Sequence, residues 1–78
     1  MSPRSPVDKR IGAMVRHRRL DLAMSAEQLG AALKVSALQI KRWEAGIGRI
    51  GGEHLIGIAR ILRVGPDFFF EVTKPTLN

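Results

Sequence analysis

Two short helical segments, each opened by a serine and separated by about three residues, restrict this chain more than any other feature. The stretch is SAEQLGAALKVSALQIKRWEAG, from Ser25 to Gly46. Ser25-Ala26-Glu27-Gln28 is a capping-box pattern, with a hydroxyl at the N-cap and an amide three residues on. It opens a helix whose inward residues are Leu29, Ala32 and Leu33. Ser36 is a natural N-cap for the next helix. That helix buries Ile40 and, three residues to either side, an edge of Ala37 and Trp43. It stops at Ala45-Gly46, where the glycine suits a C-cap. So short a link between two helices demands a sharp corner.

The rest of the chain supports the same architecture. From Val7 to Leu22, apolar residues recur at Val7, Ile11, Met14, Val15 and Leu22, which is helical spacing. Lys9, Arg10, Arg16, His17 and Arg19 fall on the other face, and Asp8 suits the positive N-terminal end of the helix. Leu55, Ile58, Ala59 and Leu62 form the stripe of another helix, from about Gly52 to Leu62. Pro66 then opens PDFFFEV, a last segment of one or two turns. There is no strand alternation and no repeat. The expected fold class is all-α, with five short helices. At 78 residues the chain suits one domain. Residues 1–8 are expected to form a flexible arm, 9–72 the domain and 73–78 a tail.

Charge bears on function. The net charge of +6 favours a polyanionic partner, and position must decide whether it does more than keep the chain in solution. In the helix after Ser36, Leu38, Gln39, Lys41 and Arg42 point away from the domain while Ile40 and Trp43 anchor it. Two helices at a tight corner form a helix-turn-helix unit, whose second helix enters the major groove in DNA-binding versions. Lys41 and Arg42 would meet phosphates or guanine edges, Gln39 adenine or phosphate, and Leu38 a thymine methyl. The plainer alternatives are a solvated cationic face, and a Leu38 that tucks inward or joins a protein-binding patch.

These residues resemble the helix-turn-helix domains of the lambda repressor and Cro class, also called the xenobiotic-response-element type. MSAEQLGAALKVSALQIKRWEAG, HLIGIARILRV and DFFFE carry the resemblance, which spans Ile11 to Glu71. It implies a five-helix lambda-repressor-like domain that binds double-stranded DNA as a homodimer on an inverted repeat. It puts Ser36, Ala37, Leu38, Gln39, Lys41 and Arg42 on the recognition surface. Ser25, Ala26 and Gln28 fall at the backbone-facing start of the preceding helix, and Arg49 in a loop that contacts phosphate. Arg19 and Glu44 are implied as a structural ion pair. Phe68, Phe69 and Phe70 cannot all be buried by one short helix. Either two fill the core and one is merely exposed, or the exposed ring, with Pro66 or Val72 nearby, helps form a dimer interface. Phe68 falls where the family often has its dimer contact. The chain departs from the family pattern at Ala23 and Lys34, where glycine is usual at turns. It also has Gly51 or Gly52 at an N-cap that is often serine. A left-handed lysine would cost roughly 1 kcal/mol.

Catalysis and cofactors are not expected. His17 and His54 stand far apart without cysteine or a carboxylate cluster, so no metal site is expected. Ser25 and Ser36 are better explained as caps than as nucleophiles. GIGRIGG lacks the strand and the lysine-serine ending of a phosphate loop. The absence of cysteine fits a reducing cytosol. No apolar run approaches the roughly 20 residues of a membrane span, and the N-terminus has no signal-peptide core. The expected role is a sequence-specific transcriptional regulator, by default a repressor, in the cytoplasm at the nucleoid. The alternative is a protein-interaction module of the same fold, an antitoxin or adaptor, motivated by the apolar Ala26, Ala37 and Leu38. RNA binding is disfavoured by the lack of an aromatic stacking platform.

Overall fold

A computed structural model of the chain describes residues 6–65 and 67–69. Its helices are α1 (Pro6–Asp21), α2 (Ala26–Leu33), α3 (Ala37–Glu44) and α4 (Gly52–Ile61), and residues 67–69 are helical again. No strand occurs among the described residues. α1 starts at Pro6, whose fixed φ suits a first helical position. Residues 6–8, expected as part of an arm, are therefore the first turn of α1. The remainder of that arm (1–5), the tail (73–78), and Pro66, Phe70 and Val72 lie outside the described residues.

Every helix feeds one core. Val15 of α1, Leu29 of α2, Ile40 of α3, Ile58 of α4, and Leu62 and Phe69 beyond it are fully buried, with Ile11, Ala26, Trp43 and Ala59 around them. α3 is the hub: α2 and α1 both pack on it, and α4 packs on α2. Gly12 explains how α1 comes so close. A Cβ there would lie 2.2 Å from the Trp43 carbonyl oxygen, so only glycine lets the two backbones approach. Within α2, Ala32 is exposed and Leu33 half-buried, while Gly30 joins Ala26 and Leu29 on the inner face. The expected inward position of Ala32 is thus corrected. A helix this short shows only a narrow stripe to its neighbours.

The helices end alike. After each one, a residue in the left-handed region turns the chain: Ala23 (φ 54°), Lys34 (φ 62°), Gly46 (φ 79°) and Arg63 (φ 61°). The next N–H then reaches back to a carbonyl five residues earlier. Met24 donates to Arg19 at 3.0 Å, and Val35 to Gly30, Ile47 to Arg42 and Val64 to Ala59 at 2.9 Å. This is the Schellman closure. Three of the four turns place a side chain where glycine is favoured, each at a cost of roughly 1 kcal/mol. The closures persist because they satisfy helix-end carbonyls and start each new helix in the right direction.

Candidate nucleic-acid interface

Local hydrogen bonds build both the start of α2 and its corner with α3. The Gln28 N–H donates to Ser25 Oγ at 3.0 Å, and the Ser25 N–H donates to Gln28 Oε1 at 2.8 Å, completing the capping box. The Gln39 N–H donates to Ser36 Oγ at 3.0 Å. Lys34 in the left-handed region, followed by Val35, makes the bend. These bonds also set the free chemistry. Gln28 has its oxygen committed to Ser25, so its amide NH2 remains as a donor. Both hydroxyls accept from backbone and keep their own proton to give. α4 lacks such a cap, because Gly51 at its N-cap offers no side chain.

α3 divides into two edges. Ile40, Trp43 and Glu44 are buried. Lys41 and Arg42 are exposed, and Leu38 is 62% exposed, so it does not tuck against α2. Ala37 and Gln39 are half-buried, which places Gln39 at the border of the free edge instead of fully outside it. Ser25, Gln28 and Ser36 are exposed beside it. Ala26 is not: at 4% exposure it belongs to the core, which removes it from the proposed backbone-facing set. The first residue of α2 packs into the core cluster, a tertiary effect that alanine itself does not reveal.

The buried edge of α3 is locked from α1. Arg19 Nε donates to Glu44 Oε2 at 2.6 Å and Arg19 Nη2 to Oε1 at 2.9 Å, while Nη1 donates to the Met24 carbonyl at 2.7 Å. One guanidinium thus ties the end of α1, the turn before α2 and the end of α3. Arg19 leaves the charged face of α1 to do this. The hydrogen bond to Glu44 raises its pKa above the ordinary arginine value; burial acts the other way, and the Glu44 charge adds to the rise. Among the described residues no buried side-chain N or O lacks a partner.

Arg49 and Asp8 form a second pair. Arg49 Nε lies 3.6 Å from Asp8 Oδ1, with the arginine side chain 79% exposed and the carboxylate 15%. Phe68 is half-buried and meets buried Phe69 edge to face, with ring centroids 5.0 Å apart. Trp43 lies against His54 at 5.1 Å, tilted by 47°. Among the described residues no group of three His, Cys, Asp or Glu is placed to hold a metal, and no helix is long and apolar enough to cross a membrane.

Three features were not anticipated from the residues. Arg18 Nε donates to the Leu62 carbonyl at 2.9 Å, placing a cation at the negative end of α4. Gly12 marks the α1–α3 approach, and Asp8 meets Arg49. None of these has a local signature. The only cue was a glycine retained inside an otherwise regular helix.

The arrangement is shared with known proteins. The helix-turn-helix family profile matches residues 15–69. An HTH-type transcriptional regulator of Sinorhizobium medicae is 42% identical over 67 residues, covering 86% of this chain and 48% of its own. The chain therefore spans about half the length of the curated relatives it matches. The P22 c2 repressor, crystallised in complex with a synthetic operator, superposes with a TM-score of 0.71 at 30% identity, over 76% of this chain and 89% of that one. ClgR, the clp gene regulator from C. glutamicum, gives a TM-score of 0.79 over 94% and 95% of the two chains, and at 23% identity speaks to the fold alone. With its profile, its relatives and its capped α2–α3 corner in agreement, the chain belongs to the helix-turn-helix family, in the lambda repressor and Cro-like group.

Proposed function

We propose that this chain binds duplex DNA in a sequence-specific manner as a homodimer, with α3 in the major groove, and regulates transcription, by default as a repressor that occludes a promoter. The observation that carries the proposal is the division of α3. Ile40, Trp43 and Glu44 fix the helix to the domain, and Leu38, Lys41 and Arg42 stand free on its other edge. A groove-reading helix needs both properties, since base contacts discriminate only when the reading side chains are held in register. The names of the relatives and the operator complex of the P22 c2 repressor support the same role.

The roles divide by chemistry. Arg42 and Lys41 offer donors to guanine edges or phosphate, Gln39 can pair with adenine from the border of the edge, and Leu38 suits a thymine methyl. Ser25, Gln28, Ser36 and Arg49 supply donors to the phosphate backbone, and Ala37 allows close approach. Phe68 lies at the half-buried rim of the core and would join two copies. A two-fold arrangement would put two α3 helices about 34 Å apart on one face of the duplex. Such a protein would work in the cytoplasm, at the nucleoid.

Selection from random duplexes tests the proposal. The winner and a scrambled duplex are then compared at two salt concentrations. A palindromic winner bound on the order of a thousandfold tighter than the scramble is expected. Equal binding of both, falling steeply with salt, would overturn specific readout. The exposure of Leu38 favours a second reading, a protein-interaction module that retains the fold. With Ala26 in the core, the apolar patch behind that reading is smaller. A stable protein complex together with indifference to DNA sequence would establish it.

A further inference from the structure

We propose that Asp8 is an intramolecular competitor of DNA phosphate for Arg49, and so sets how strongly the domain holds any duplex. The proposal rests on the reading of Arg49 as a backbone contact. Arg49 reaches Asp8 because Gly48, at φ +80°, turns the α3–α4 loop back over the first turn of α1. The two partners differ in freedom. The carboxylate is largely covered and fixed on a helix, while the guanidinium is mostly in solvent. Arg49 can therefore swing to another anion, and Asp8 cannot follow it. Among the described residues Lys41 and Arg42 make no ion pair, so Arg49 is the cation of the proposed DNA face that already carries a counter-charge.

A phosphate can engage Arg49 fully only by displacing Asp8 or by sharing the arginine with a like charge. Every duplex presents phosphates, so this opposition applies to operator and random DNA alike. It falls on the sequence-independent part of binding, which dominates at non-operator sites. The consequence is a weaker hold on bulk DNA without any change in the groove-reading edge. The 3.6 Å separation and the exposure of Arg49 set the scale: the pair is weak enough to break, and strong enough to be felt at low salt.

A double-mutant cycle tests this. Asp8→Asn is expected to tighten both the selected and the scrambled duplex by about 2–5-fold at roughly 50 mM salt, and less as salt rises. In an Arg49→Ala background the same change is expected to alter affinity by less than about twofold. Asp8→Ser, also neutral and compatible with a helix start, should behave like Asp8→Asn, and circular dichroism confirms that the helices are intact. Weaker or unchanged binding in both neutral variants would overturn the proposal, by making Asp8 a positioning residue for Arg49 or a bystander. An equal gain in the Arg49→Ala background would also overturn it, by reducing the effect to net charge. If the wild-type chain bound no duplex, the DNA reading itself would fail. If it bound normally and Asp8→Asn did not tighten it, only the role of Asp8 would fail.

Discussion

Glu44→Ala should be strongly destabilising, although Glu44 is not on the proposed DNA face. The carboxylate accepts from two nitrogens of Arg19, at 2.6 and 2.9 Å, and the side chains of the pair are 9% and 5% exposed. Removing it strands a guanidinium whose remaining protein acceptor is the Met24 carbonyl. Losing one partner of a buried pair costs about 3–5 kcal/mol. A domain of this length has on the order of 5–10 kcal/mol in total. With a urea slope of about 1 kcal/mol/M, the unfolding midpoint should fall by roughly 3–5 M, read by circular dichroism. The double variant Arg19→Met/Glu44→Leu leaves no charge stranded. It should lie within about 1–3 kcal/mol of wild type, the deficit coming from the unanswered Met24 carbonyl. A Glu44→Ala loss below about 1 kcal/mol would refute the reasoning. So would a double variant that loses the sum of its two singles, since the pair would then be uncoupled.

Other outcomes follow from single positions. Lys34→Gly and Arg63→Gly relieve left-handed residues at helix ends, and each should raise stability by up to about 1 kcal/mol in urea melts; a loss would mean the side chains make compensating contacts. Gly12→Ala should destabilise by about 1–3 kcal/mol or more, because the added Cβ meets the Trp43 carbonyl at 2.2 Å; an unchanged melt would show that α1 can shift freely. On DNA, Arg42→Ala should cost about 1–3 kcal/mol on the selected duplex and relax base choice, whereas Arg49→Ala should weaken all duplexes alike. Equal effects of Arg42→Ala on selected and scrambled duplexes would remove it from base readout.

What could be read before folding was what is local. Ser25, Gln28 and Ser36 act on backbone within three residues of themselves, so their caps were visible in the residue order. The buried faces of α1, α3 and α4 followed from spacing, with Val15, Ile40, Ile58 and Leu62 in the core, although Val7, the first residue of the expected α1 stripe, is exposed in its first turn. Contacts between distant segments were not visible in that way. Arg19 and Glu44 are 25 residues apart, and only the family resemblance paired them. Arg18 meets a main-chain carbonyl 44 residues away, and a carbonyl is the same at every position. Ala26 carries no local cue, since alanine fits a core and a phosphate-facing turn equally well, and it lies in the core. The position of Asp8 in the residue order points only to the helix dipole, while the loop that brings Arg49 to it contains a left-handed Gly48.

Trp43 has a consequence for measurement. It is the chain's single tryptophan, and it sits on the inner edge of α3 against His54. Intrinsic fluorescence from this protein therefore has one source, screened from solvent by the packing that seats α3. A red shift would signal that the packing around the inner edge of α3 has opened, at α3 itself or at the α4 residues against it. Ligand contact at Leu38, Lys41 or Arg42, on the other side of the same helix, should leave the emission wavelength in place. One optical signal can thus separate loss of function by undocking of α3 from loss of function at its free edge.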